Sequence, residues 1–252
     1  MKGVILAGGL GTRLRPLTTV TNKHLLPVYN QPMIYFPIRC LLNAGIDEIL
    51  IVTGGDHAGD FVKLLNDGKH LGIKRLSYAY QTGEGGIADA LKLAREFANG
   101  DKICVILGDN IIQTNIRSFA TEFEQQSHGA KIILKEVMQP NRFGVVRFEG
   151  EKIVEIIEKP LNPPSNMAVT GIYFYDATVF DICDNLKPSH RGELEITDVN
   201  NHYLKHGELS FNVLTGWWTD AGTIPSLYQA TRLVATTGAN HLTDIPTFDM
   251  EI

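Results

Sequence analysis

Lys2-Gly-Val-Ile-Leu-Ala-Gly-Gly-Leu-Gly-Thr-Arg-Leu-Arg-Pro-Leu-Thr18, followed closely by Lys23, is the stretch whose reading decides the fold. Val4 to Ala7 is a continuous apolar run of strand length, which reads as a strand buried on both faces. It empties into glycines at 8, 9 and 11, so backbone amides are laid bare at a strand's carboxyl end. Such a loop lets N–H groups approach a ligand with no Cβ in the way, the arrangement that cradles phosphate. Arg13, Arg15 and Lys23 add three cations beside it, a combination suited to a polyanion such as a triphosphate. Glycines alone are also compatible with a tight turn that serves packing only.

Outward from this loop the pattern alternates. Pro32 to Leu42 carries helix chemistry and stops at Asn43-Ala-Gly45, and Ile49 to Thr53 is a second β-branched run. Phe61 to Leu65 has helical spacing, Leu76 to Gln81 reads as a strand, Ala88 to Phe97 repeats at the helical period, and Ile103 to Leu107 is another buried run. Strands alternating with helices predict right-handed crossovers and a Rossmann-like, mostly parallel α/β sheet flanked by helices. From Ala130 to Tyr175 short strands (130–137, 144–148, 152–157 and 169–175) follow one another with little helix between. They predict an antiparallel or mixed extension over one side of the site. The expected organisation is one domain over 1–235, with parts at about 1–128 and 129–235, and a loosely ordered tail over 236–252.

The 252 residues are 44% hydrophobic and 20% charged, with a net charge of -5. That composition supports a substantial core and argues against a nucleic-acid partner, which favours a basic surface. The amino terminus lacks the pattern of an export signal, and Val4 to Ala7 is too short to cross a bilayer, so a cytoplasmic protein without a membrane partner is expected. Cys40, Cys104 and Cys183 lie far apart in apolar surroundings and read as reduced buried thiols. Zinc-type spacings are missing, and the eight scattered histidines suggest no catalytic role.

Ligands in parallel sheets gather at the carboxyl ends of strands, where Gln81 to Gly86 and Leu107-Gly-Asp109-Asn110 fall. Asp109 alone reads first as a turn former or helix cap; with Asp220, in Gly216-Trp-Trp-Thr-Asp-Ala-Gly-Thr223, it makes a hard oxygen site suited to Mg²⁺ and phosphate. Glu158-Lys159 alone is a common surface pair, and Arg191-Gly-Glu-Leu-Glu-Ile-Thr-Asp198 is compatible with a capped helix start.

Neither familiar glycine-rich pattern fits the first loop. Leu14 occupies the place of the third small residue of the dinucleotide fingerprint, and no Gly-Lys-Ser/Thr follows at Walker spacing. Gly-Gly-x-Gly-Thr-Arg with Asn22-Lys-His-Leu-Leu-Pro27, followed in order by Phe143-Gly144, Glu158-Lys159-Pro160, Val169-Thr-Gly and Arg191-Gly-Glu, resembles the sugar-1-phosphate nucleotidylyltransferases from Lys2 to about Ala230. The branch that joins dTTP to glucose 1-phosphate is the nearest in pattern. The resemblance implies catalytic roles for Arg15, Lys23 and Asp109, and a nucleotide site of Leu6, Gly8, Gly9, Gly11, Thr12, Arg13, Gln81, Gly86 and Asp109. It implies a sugar-phosphate site of Asn110, Gly144, Glu158, Lys159, Val169, Tyr173 and Arg191, with Mg²⁺ as cofactor on Asp109 and Asp220. A nucleoside triphosphate and a sugar 1-phosphate would be the partners, and a homo-oligomer the family habit. Phe143 departs from a family Tyr, and Asp89 from a family Gln or His, which leaves UTP, CTP or another sugar phosphate open. A catalytically silent regulatory subunit, the alternative from another class, is expected to lack the cations and carboxylates that are present here.

Overall fold

A computed structural model of the chain describes residues 1–242. The first half runs β1 (Lys2–Ala7), the two-residue hairpin β2 (Pro27–Val28) and β3 (Gln31–Pro32), α1 (Tyr35–Asn43), β4 (Glu48–Gly54), α2 (Ala58–Leu65), β5 (Arg75–Gln81), α3 (Ile87–Lys92), α4 (Arg95–Ala98), β6 (Ile103–Leu107), β7 (Asn110–Ile112) and α5 (Arg117–Gln125). The second continues with β8 (Ala130–Glu136), β9 (Gly144–Glu149), β10 (Lys152–Glu158), β11 (Met167–Tyr175), α6 (Val179–Asn185), α7 (Ile196–Lys205), β12 (Leu209–Val213), β13 (Trp218–Asp220) and α8 (Ile224–Thr237).

One continuous nine-stranded sheet organises the described residues. Its parallel half runs β5-β4-β1-β6, with β1 at the centre. Strand β11 pairs antiparallel to β6 and joins that half to β8, β9 and β10, while β12 lies parallel to β8 on the far edge. The mixed extension expected from the short strands is therefore fused to the parallel sheet through a single strand.

Alternation along β1 explains the layering. Val4 and Leu6 face a core completed by α3, α4, α6 and α7; Ile5 and Ala7 face one completed by α1, α2 and α5. All four residues are 6% exposed or less, as a central strand covered on both faces requires. The helix expected from Ala88 to Phe97 is two short helices, because the chain turns at Leu93 and Ala94.

Two features differ from the sequence expectation. The tail does not begin at 236: residues 236 and 237 end α8, and the next turn is tied down by Asn240 N–H to Ile112 O (2.9 Å) and Asn240 Nδ2 to Phe36 O (2.9 Å). These partners lie some 130 and 200 positions away, so small polar residues that look like a tail find acceptors only in the folded chain. The rest of the expected tail lies outside the described residues. Strand β11 also slips register between Val169 and Tyr173, where Thr170 Oγ1 donates to Ile133 O and Gly171 N–H to Asn110 Oδ1, both at 2.9 Å. Val169, Gly171 and Tyr173 of this irregular stretch line the site described next.

Candidate active site

The carboxyl ends of β1, β5 and β6 open into one cavity of about 620 Å³. Every residue the sequence pointed to lines it except Arg15, which is exposed and sits outside the lining. The cause is local: after Arg13 and the buried Leu14 the chain runs through exposed Arg15, Pro16 and Leu17, so of the three loop cations only Arg13 and Lys23 reach the cavity.

The glycine loop holds its shape for steric reasons. Gly11 has φ +62°, and a Cβ there would come within 2.9 Å of the Thr18 side chain, whose hydroxyl donates to Gly11 O at 2.8 Å. Across the loop, Leu10 N–H donates to Glu84 Oε1 at 3.2 Å, tying it to the segment after β5.

Lys23 reaches the cavity floor from a single turn of 3₁₀ helix, Lys23–Leu25. Asn22 caps that turn, accepting His24 N–H at 2.9 Å, while its Nδ2 donates to Ala7 O at the end of β1. His24 is buried against the same Asn22 oxygen, and burial together with the Lys23 charge lowers its pKa to about 3. It is a neutral structural histidine. Lys23 Nζ meets Asp109 Oδ2 at 2.6 Å, with 16% and 11% of the two side chains exposed. Burial on its own would raise the Asp109 carboxyl, but the Lys23 ammonium and the Asn110 amide overcome it and hold it well below the usual carboxylate range.

Asp220 stands on β13, which pairs with β7 so that Asp220 lies opposite Asn110. A Cβ on Gly222 would lie 3.3 Å from Asp109 Oδ2 and 3.7 Å from Asp220 Oδ2, so the two carboxylates face one another across that glycine. Burial and the nearby Asp109 raise the Asp220 pKa, offset in part by Arg142, whose Nη2 is 3.2 Å from Asp220 Oδ1. Arg142 was not singled out in the sequence. It precedes the Phe143-Gly144 motif directly, and only the fold brings it to a residue 78 positions on.

At the other end Glu158 accepts Thr197 Oγ1–H at 2.6 Å, with Lys159 Nζ at 3.0 Å and Arg191 Nη2 at 3.6 Å. Arg191 is held by a two-point bridge to Glu195 (Nε to Oε1 3.1 Å, Nη2 to Oε2 2.7 Å). The Phe143 ring packs 4.9 Å from that of Trp218, whose Nε1–H donates to Asn110 Oδ1 at 2.7 Å. Burial raises the Tyr173 phenol far enough to keep it neutral. Thr197, Gly171 and Trp218 line the site as well; Trp218 lay within a quoted motif, but nothing in its sequence context marked it.

A cavity with bare loop amides and cations at one mouth, paired carboxylates at its floor and an acid-base cluster at the other end is built for two anionic ligands. The sequence profile of the family described as Nucleotidyl transferase matches residues 2–237. This chain belongs to that family. A Neisseria meningitidis protein named glucose-1-phosphate thymidylyltransferase is 47% identical over 242 residues, spanning 94% of this chain and 83% of the relative. One of the same name from Mycolicibacterium smegmatis is 45% identical over 240 residues, with the same shares. The crystal structure of a Bacillus anthracis protein, provisionally described as a glucose-1-phosphate thymidylyltransferase and solved with sucrose, superposes with a TM-score of 0.89 at 53% identity, covering 92% of this chain and 94% of that one. A UDP-glucose pyrophosphorylase structure solved with UDP-glucose (TM-score 0.80, 23% identity, 93% and 98% covered) shares the fold.

The nucleotidyl transferase fold thus sets its cavity where parallel strands end, as expected for open α/β sheets. Among the described residues no helix is long and apolar enough to cross a membrane. Nor does any group of three His, Cys, Asp or Glu side chains form a metal cage there. Two facing carboxylates that leave further positions for phosphate oxygens fit Mg²⁺, which takes one or two carboxylates plus substrate phosphates.

Proposed function

We propose that this nucleotidyl transferase is a glucose-1-phosphate thymidylyltransferase, converting dTTP and glucose 1-phosphate to dTDP-glucose and pyrophosphate in the cytoplasm. The observation that carries the reading is the Lys23–Asp109 pair on the floor of one continuous cavity, between the glycine loop and the Glu158–Arg191 cluster. The names of relatives at 41 to 47% identity agree with it.

In this reading Leu6, Gly8, Gly9, Gly11, Thr12 and Arg13 hold the triphosphate, and Gln81 and Gly86 hold the base. Lys159 and Arg191 bind the sugar phosphate, with Glu158 accepting sugar hydroxyls. An oxygen of glucose 1-phosphate attacks the α-phosphorus, the bond from that phosphorus to the bridging oxygen breaks, and the electron pair leaves with pyrophosphate. The nucleophile is already an anion, so no general base is needed, and alignment with charge neutralisation supplies the rate. Lys23, now engaged by Asp109, turns its ammonium to the phosphates. Mg²⁺ held by Asp109 and Asp220 would neutralise phosphate charge and orient the in-line displacement.

The test is pyrophosphate release with glucose 1-phosphate and Mg²⁺ across dTTP, UTP, CTP, ATP and GTP, with a chelator control. The fastest release is expected with dTTP and is lost on chelation. Silence with every nucleotide, and with other sugar 1-phosphates in place of glucose 1-phosphate, overturns the reading.

A further inference from the structure

Gln81 stands at the carboxyl end of β5, 7% exposed, on the cavity wall. Its side-chain nitrogen carries two hydrogens, and both are engaged: Nε2 donates to Asp89 Oδ2 at 2.9 Å and to Gly86 O at 3.3 Å. A carboxylate and a carbonyl can only accept, so together they fix which way the amide points. The reversed amide would set an oxygen against two oxygens. What remains for a ligand is Oε1, beside Gly8, where a Cβ would come within 2.9 Å of it.

Asp89 is itself held in place. Its Oδ1 is 3.2 Å from Lys92 Nζ, one turn further along α3. Its carboxylate also fills the space over Gly85, where a Cβ would lie 2.5 Å from Oδ2 and 2.6 Å from Cγ. Gly85 O in turn accepts Leu194 N–H at 2.8 Å, which ties this segment to the irregular stretch leading into α7.

We propose that Asp89 is a positioning residue that makes Gln81 an acceptor-only reader of the base, so that the site selects pyrimidines presenting an N–H on their pairing edge. Thymine and uracil carry a hydrogen on N3; cytosine carries a lone pair there. Cytosine would bring two unshielded lone pairs together in a site where neither recovers its lost water. The same contact is blind to the thymine methyl, so it separates dTTP and UTP from CTP and does not separate the first two. The inference rests on the thymidylyltransferase reading for the base's place beside Gln81.

Calorimetric binding of dTTP, UTP and CTP to the wild-type chain, Asp89→Leu and Gly85→Ala tests it. Thermal melting establishes that each variant is folded. Wild type is expected to bind dTTP and UTP at least about tenfold more tightly than CTP, the scale on which a site built around one hydrogen bond rejects a ligand lacking it. Asp89→Leu removes the acceptor, and the preference should collapse to within about threefold, because the freed amide can turn its nitrogen to cytosine. Gly85→Ala keeps the carboxylate but displaces it, and should have the same effect. The inference is overturned if wild type binds CTP as well as dTTP, if it binds none of the three, or if both folded variants keep the wild-type ratio. Should pyrophosphate release fail while the binding ratios behave as expected, the transferase reading falls and the role of Asp89 stands.

Discussion

Neither charge of the Lys23–Asp109 pair can be removed alone without stranding the other in a site that water barely reaches. Lys23→Met and Asp109→Asn are each expected to lower kcat/KM by about 10²- to 10³-fold, the usual cost of losing one preorganised charge. Each is also expected to destabilise the chain, with the double variant recovering part of the loss. A urea-denaturation cycle should read a coupling of about 0.5–3 kcal/mol, and additive losses would show that the pair is no unit. Because the folded-state pKa of Asp109 is depressed, its stabilising contribution is present above the ordinary carboxylate range and disappears only in strong acid. His24 runs by a different rule. With a folded pKa of about 3, it stays neutral where the unfolded chain would take up a proton, between about pH 6.5 and 3. Stability should fall with pH across that window by up to about 1.4 kcal/mol per pH unit from this group, and the slope in His24→Gln should be shallower by one proton.

At the scale of elements, the sugar end depends on an edge strand with a helix for a neighbour. Asn201, on α7, accepts Ile156 N–H at 3.1 Å and donates to Ile156 O at 2.8 Å, standing in for a partner strand along β10. Glu158 ends that same strand, and Thr197 in the first turn of α7 donates to it. Asn201→Leu should therefore loosen β10 and raise the KM for glucose 1-phosphate by about tenfold, ~1.4 kcal/mol of binding, with the KM for dTTP unchanged. An equal rise for both substrates would mean that the bond only supports the fold. The strands of this half were legible because short alternating runs broken by Gly150 and Pro160 have a local signature. The two-residue slip in β11 was not, since it is set by the reach of Gly171 N–H to Asn110, 61 positions earlier.

For the whole molecule, one sheet spans both halves through β11, which pairs with β6 on one side and β8 on the other. Unfolding should accordingly be a single transition, coincident by far-UV circular dichroism and by fluorescence of Trp217 and Trp218; a separate early step over 129–235 would contradict this. The net charge of -5 opposes an anionic substrate, so binding depends on the local cations Arg13, Lys23, Lys159 and Arg191. Raising salt should weaken dTTP binding, through screening of those partly exposed charges.

The sequence by itself determined the local things. Apolar runs emptying into glycine placed β1, β4 and β6 and the loop after β1, because side-chain periodicity and glycine's freedom act within a few residues. The motif residues of both ends of the cavity were named from the chain alone as well, those of the sugar-phosphate end through the resemblance to a known family and not through periodicity. What only the tertiary structure decided was which of them meet. Pairing of β13 with β7 sets Asp220 against Asp109; the turn after Pro140 brings Arg142 to Asp220; Arg15, two positions from Arg13, is left in solvent. The orientation of Gln81 came from Asp89 in the same way, and the end of α8 was fastened by acceptors on α1 and β7. Each of these is a contact or a direction fixed by how separate elements pack, and hydrogen bonds and charges act across space without regard to distance along the chain.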